Sequence, residues 1–224
     1  MLQLVIANKL YSSWSLRPWM VLHAFGIPFS EHVVALRQPD TKERIANVSP
    51  SGKVPVLMDD GIAVWESLAI IEFLAETHPD LEIWPRDRAA RAHARAISNE
   101  MHGGFMPLRQ TCPMNLAKRF KTPPMTDELA QNVARIEEIW QRTRNSFRAA
   151  GPFLFGAFSA ADAMYAPVVT RLDTYQIAVS PPARTYMDAV LSHPSFIAWK
   201  AAALAEPWTI SDYEAGHEAV ETFR

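Results

Sequence analysis

Residues 53–77 read KVPVLMDDGIAVWESLAIIEFLAET. Val54 to Met58 and Ile62 to Trp65 are short apolar runs rich in β-branched residues, and Asp59-Asp60-Gly61 between them is a tight-turn sequence, so the stretch predicts a β-hairpin. A helix follows from about Glu66 to Thr77, with Ile70, Ile71, Phe73 and Leu74 on its apolar side. Val54-Pro55 is the irregular feature, because a proline supplies no ladder donor and is unusual in a central strand.

Towards the N-terminus, Leu2 to Ala7 is a compact apolar run suited to a buried strand. Residues 16–25 place Leu16, Trp19, Met20 and Ala24 on one helical face, closed by the stop signal Gly26-Ile27-Pro28. Phe29 to Leu36 is strand-like again, followed by a polar segment to Ser49. The order β-α-β-linker-β-β-α over residues 1–80 suits one small sheet covered by helices. Beyond His78 to Asp87, where Pro79 and Pro85 break helix propagation, strand signals all but vanish. Residues 88–110 are alanine- and arginine-rich and helical up to Gly103-Gly104. Residues 126–147 form a helix capped by Thr126, with Asp127 and Glu128 complementing its dipole. Two further helices occupy SAADAMYAPVVTRLDTY and PSFIAWKAAALAE. Residues 88–224 therefore read as an all-helical domain.

The 224 residues are 49% hydrophobic and 21% charged, which is ordinary globular composition. Lys plus Arg is 22 against 24 Asp plus Glu, a formal charge of −2. That balance offers no electrostatic reason to expect nucleic acid or an anionic membrane as partner. A lone cysteine, Cys112, excludes an internal disulfide and a multi-cysteine metal site, and no metal is expected. The N-terminal sequence MLQLVIANKL lacks a basic region leading into an apolar core, and no apolar run is long enough to cross a membrane; the expectation is a cytoplasmic protein.

Residues 8–19, NKLYSSWSLRPW, place three hydroxyls at the mouth of a helix. Pro18 is tolerated only in a first turn without loss of a hydrogen bond, so the helix is expected to start near Ser13 to Ser15, with Ser12 in the loop ahead and Ser15 as cap. FSAADAMY holds the Ser-x-x-Asp spacing of a capping box, Ser159 and Asp162, a folding element. Arg86, Arg88, Arg91 and Arg95 lie along one side of a helix and read as a solvated face, and His23 as structural.

The motifs YSSWSLRPW, NVSPSGKVPVLMDDG, ESLAIIEFLAETHP and FSAADAMYAP, in this order and spacing, resemble those of a cytosolic glutathione S-transferase across essentially the whole chain. The SSWS-x-Arg pattern is most similar to the serine-type, zeta-like and related bacterial members. The resemblance implies a thioredoxin-like α/β domain followed by an all-α domain, with glutathione as co-substrate. It implies a cis Val54-Pro55 bond that leaves the Val54 backbone free for the cysteinyl part of glutathione; an edge-strand proline is the alternative. Glu66 and Ser67 inherit the γ-glutamyl end, the helix N-terminus serving its carboxylate and the acidic side chain its amine, although the pair would also serve as an ordinary helix cap. Lys53 falls over the glycine carboxylate, or is a surface lysine.

Glutathione's thiol needs help to ionise, because a free thiol titrates near 8.5 and the thiolate is the nucleophile. Ser12 stands where the serine-type members carry the activating hydroxyl, with Ser13 as runner-up and Tyr11 as a weaker imitation of the tyrosine-type enzymes. Cys112 lies in the wrong domain to replace the cysteine of cysteine-type relatives. The second-substrate pocket is expected from residues 99–110, with Phe105 and Met106 as an apolar wall, His102 and Arg109 as polar groups, and Trp14 overhanging from the first domain. A glutathione transferase acting on a small electrophile is the leading reading. A maleylacetoacetate isomerase is second: those enzymes have SSCSWR where this chain has SSWSLR, and Gln-Pro-Leu where it has Met106-Pro107-Leu108. A non-catalytic ligand-binding protein is third. The family resemblance further implies a two-fold homodimer with Trp65 and residues 88–108 near its face.

Overall fold

The computed structural model describes residues 1–147, 150–214 and 216–224. Four strands, β1 (Leu2–Ile6), β2 (Phe29–Val33), β3 (Val56–Asp59) and β4 (Ile62–Trp65), form one sheet in the order β2-β1-β3-β4. β1 runs parallel to β2, with Leu2 opposite Phe29, and antiparallel to β3, with Leu4 opposite Leu57. A parallel pair needs a crossover, and α1 (Ser13–Ala24) supplies it. Leu4 and Ile6 join the main core on one side of the sheet, while Val5 packs with Val34, Ile45 and Val56 on the other. This two-sided burial explains why Leu4, Val5 and Ile6 are apolar in succession. Ile45 belongs to α2 (Thr41–Ala46), a short helix inside the segment read as polar. One buried side chain in six residues leaves no periodicity to read. The hairpin turn places both Asp60 and Gly61 at positive φ, 42° and 90°, as a type I′ turn requires.

α1 starts at Ser13, within the expected window, but its cap is Ser12, whose Oγ accepts the Ser15 N–H. Ser15, expected to cap, lies in the first turn, and its Oγ accepts the N–H of Ala7 at the end of β1. Pro18 stands inside the helix, which runs through it. α3 (Ser67–Thr77) follows the hairpin as predicted.

The second half contains α4 (Arg88–Gly103), α5 (Met106–Thr111), α6 (Asp127–Ser146), α7 (Ala160–Thr174), α8 (Pro181–Leu191) and α9 (Pro194–Leu204). α7 is its axis: every residue except Asp173 is buried, and it packs against α1, α4 and α8. The helical domain carries one addition that the sequence does not announce, a two-stranded sheet of β5 (Lys118–Phe120) and β6 (Ala219–Thr222). Its strands are three and four residues long and about 100 positions apart, so local pattern is silent on the pairing. The arginine face is solvated and ion-paired, Arg86 with Glu82 and Arg95 with Glu72. No helix of the described residues is long and apolar enough to cross a membrane.

The capping box forms at the start of α7. Asp162 accepts the Ser159 N–H and O–H, the Leu154 N–H at 3.0 Å and the Tyr186 O–H at 3.2 Å. Burial pushes its pKa up to about 6, against the pull of these donors. Between the ordinary carboxylate range and that value the folded chain holds a proton that the unfolded chain has lost. This group's contribution to stability therefore falls as pH rises from about 4 to about 6. Urea unfolding across that range should show the decline, and Asp162→Asn should remove it while lowering stability by roughly 1–3 kcal/mol through mismatched buried donors.

Candidate active site at the domain junction

The start of α1, the loop before β3 and the start of α3 meet the α4–α5 corner and α7 around two adjoining cavities. The smaller, about 240 Å³, is lined by Trp14, Ser51, Lys53, Val54, Pro55 and Glu66. The larger, about 540 Å³, shares Trp14, Lys53 and Val54 and adds Ser12, Ser13, Met106, Arg109 and Arg171. Of the residues singled out in the sequence, Ser12, Ser13, Trp14, Lys53, Val54, Glu66, Met106 and Arg109 line one or both of these cavities.

The smaller cavity is set by two backbone irregularities. Val54-Pro55 is cis. Glu66 caps α3 at a φ of 68°, a conformation that non-glycine residues rarely adopt. Such outliers persist where the surroundings over-determine them, and here the result is a carboxylate on the cavity wall beside a helix N-terminus. Ser67 differs from expectation: it is fully buried and lines neither cavity, and its hydroxyl accepts from Arg17 Nη1 at 3.4 Å.

His102 and Phe105 are corrections too, since neither lines a cavity. His102 packs edge-on to the Trp14 ring, with Nε2 3.6 Å from the Glu66 carboxylate, beyond hydrogen-bond reach. Burial, then the charge of Arg17, push its pKa down. Phe105 caps α5 in the left-handed region and packs against the core.

The hydroxyls are now distinguishable. Ser12 donates to Ser15 Oγ at 2.7 Å and accepts the Ser15 N–H, so its proton is committed. Ser13 Oγ accepts from Arg171 Nη2 at 3.1 Å, and its own proton has no acceptor among the described residues. Tyr11 donates to Glu214 at 2.8 Å, and burial together with that carboxylate push its pKa up to about 12. Cys112 is buried, and burial pushes its thiol up to about 12.

Three guanidinium groups surround the cleft. Arg17, only 1% exposed, lies over the Trp14 ring at 4.3 Å, and Arg109 lies 5.0 Å from the same ring. Arg109 is braced by the carbonyls of Gly104 and Met101. Arg171 donates to the Cys112 carbonyl at 2.7 Å as well as to Ser13. Burial and the charge of Arg109 push the Arg171 pKa down to about 10. Sequence reasoning passed over Arg171. Its one signal was a cation in the otherwise apolar and small-residue stretch AMYAPVVTRL, where a lone charge reads as a helix face turned to solvent.

With this geometry in place, comparison with known proteins is informative. The glutathione S-transferase N-terminal domain model matches residues 11–77, and the C-terminal domain model matches residues 86–199. Among curated relatives, a probable maleylacetoacetate isomerase of Caenorhabditis elegans is 38% identical over 49% of this chain and 53% of its own length. Maleylacetoacetate isomerase of Rattus norvegicus is 30% identical over 62% of each chain, and glutathione S-transferase theta-1 of Mus musculus 29% identical over 66% and 65%. The matched region thus spans between half and two thirds of these relatives. Among solved structures, a glutathione transferase homolog from Burkholderia with bound glutathione superposes with a TM-score of 0.68 at 24% identity, over 90% of this chain and 97% of that one. A diazinon-metabolizing glutathione S-transferase of the silkworm Bombyx mori superposes with a TM-score of 0.71 at 16% identity, over 91% and 98%. Both share the fold. The C-terminal domain model alone covers half of the sequence, and the chain belongs to the glutathione S-transferase family.

Proposed function

We propose that the protein is a glutathione transferase that ionises the glutathione thiol and directs it at a small electrophile. The observation that carries this reading is the Ser13–Arg171 pair in the wall of a cavity that opens onto the cis-proline cleft. A positive charge and a hydroxyl with a free proton beside a sulfur both favour its thiolate. Ser12 is the residue expected from the family pattern, but its proton is spent on Ser15, so Ser13 takes the role here. Glutathione lies along the smaller cavity. The Val54 backbone pairs with its cysteinyl part, Glu66 takes its ammonium, and the N-terminal amides of α3 take the adjacent carboxylate. Ser67 acts from behind by bracing Arg17, and Lys53 meets the glycine end. In this reading residues 1–80 form the thioredoxin-like domain and residues 88–224 the helical domain, and the enzyme works in the cytoplasm.

The isomerase reading is favoured by the names of the relatives at 38% and 30% identity. The site departs from that pattern at Trp14, a bulky ring in contact with two guanidinium groups where the isomerases carry a cysteine. It ranks second.

The homodimer is part of the proposal. The first domain is small for an independent core, and Trp65 on β4 is 41% exposed. A second subunit's helical domain would cover it.

Calorimetry should show glutathione binding, weakened on the order of tenfold or more in Glu66→Gln through loss of a charge-assisted partner. Binding unchanged in that variant would remove Glu66 from the site. In the complex, thiolate absorbance against pH should shift towards the free-thiol value near 8.5 in Ser13→Ala, and less in Ser12→Ala; the reverse order would return the role to Ser12. Light scattering at micromolar concentration should report twice the 25.2 kDa chain mass, and a monomer with full glutathione affinity would show that assembly is dispensable for the site.

A further inference from the structure

We propose that Arg171 and Arg109 form an anion subsite in the larger cavity, and that the second substrate is a small electrophile carrying a carboxylate. This rests on the transferase reading and names its substrate class.

The starting point is an imbalance of charge. Ionised side chains are seldom buried without a partner of opposite sign. Yet among the described residues, Arg17, Arg109 and Arg171 make no salt bridge, although fifteen such pairs occur elsewhere. They also repel one another, and the charge of Arg109 acts on both of the others. No Asp or Glu lines the larger cavity, whereas Lys53, Arg109 and Arg171 all do. The acid on the far side of Tyr11, Glu214, is held by Lys118, Asn115 and the Tyr11 hydroxyl. An arrangement of this kind is completed by an anion from outside.

The donors left over have the right form. Arg171 spends one N–H on the Cys112 carbonyl and one on Ser13, leaving three of its five. Arg109 spends Nε and Nη2 on the carbonyls of the α4–α5 corner, and its Nη1 makes no hydrogen bond among the described residues. Guanidinium groups so braced offer fixed, charge-assisted donors to a carboxylate, Arg109 through Nη1 and Arg171 through its remaining N–H groups. The glutathione carboxylates do not claim them, because in this reading those lie in the other cavity, against Lys53 and the start of α3. Around the arginines, the walls supplied by Tyr11, Trp14, Met106, Met114 and Tyr213 suit an apolar body.

The same geometry fixes the orientation. Arg171 touches both the subsite and Ser13, so an anion on the arginines sits one hydrogen bond from the thiol activator. The apolar body of the substrate then points its electrophilic carbon at the sulfur. With a benzylic chloride, the thiol first gives its proton to solvent. The thiolate pair then forms the C–S bond while the C–Cl bond breaks, and chloride leaves with its electron pair.

The test compares 4-(chloromethyl)benzoate with its methyl ester, which share the reacting carbon and differ in charge. In the wild-type protein kcat/KM should favour the acid by about tenfold or more, mainly through KM, as a charge-assisted contact implies. The ratio should fall towards one in Arg109→Met and in Arg171→Met, each judged by its own acid-to-ester ratio. Should Arg171→Met not fold, inhibition of the wild-type protein keeps the question open to measurement: benzoate should compete with the ester and benzamide should not. An acid-to-ester ratio at or below one in the wild type, or a preference retained in the folded variants, overturns the subsite. Glutathione binding measured in parallel separates the two readings: with binding and ester turnover intact but no preference for the acid, the subsite alone fails. With no glutathione binding, the transferase reading fails as well.

Discussion

The hydrogen bond from Arg171 to Ser13 joins the centre of the helical domain to the first residue of α1, and the rest of the site depends on it. α7 is buried nearly throughout, so its one arginine has nowhere to relax. Desolvation makes an unsatisfied guanidinium costly, which fixes Arg171 against Ser13 and the Cys112 carbonyl. The loop before α1 is held from the same side. Glu206 accepts the Lys9 N–H at 2.7 Å and the Leu10 N–H at 3.4 Å, while Trp199 donates to the Lys9 carbonyl at 3.0 Å. The hydroxyls at the cleft are therefore positioned by residues more than 150 positions away. A loop of this composition, left to itself, would be mobile.

Local charge at the cleft is hidden by the composition. The chain as a whole carries −2, yet the groups drawn around Trp14 are cationic, with Glu66 as the acid on the wall. Elsewhere arginines lie on the surface in exposed pairs with carboxylates, such as Arg95–Glu72 and Arg135–Glu100. Exposed pairs contribute little to stability, while the unpaired arginines inside set what the cleft attracts. Net charge and site charge are independent quantities here.

Much of this architecture is local chemistry and legible in the sequence. Asp60-Gly61 can take positive φ, so the hairpin follows from the chain itself. Ser159 and Asp162 close a capping box three residues apart, and Thr126 caps α6 in the same way. The glycine pair at residues 103–104 ends α4 where expected. These features involve partners within a turn of one another, and the four motifs that identify the family are built from them.

What the sequence left open has one physical cause, partners distant along the chain. Whether Ser12 or Ser15 caps α1 turned on the Ala7 N–H at the end of β1, which claims Ser15. β5 and β6 pair across about 100 residues and have no periodicity of their own. His102 and Phe105 fall in the segment expected to form the wall, but one packs on the Trp14 ring and the other against the core. Ser67 faces Arg17 because α1 packs against α3. Arg171 looks like a solvent-facing charge until α7 is placed in the core, where burial sets its guanidinium beside the Ser13 hydroxyl. The sequence determined the main elements, the local caps at Thr126 and Ser159 and the family; the packing of α7 against α1 decided which hydroxyl meets a guanidinium and where the positive charge stands.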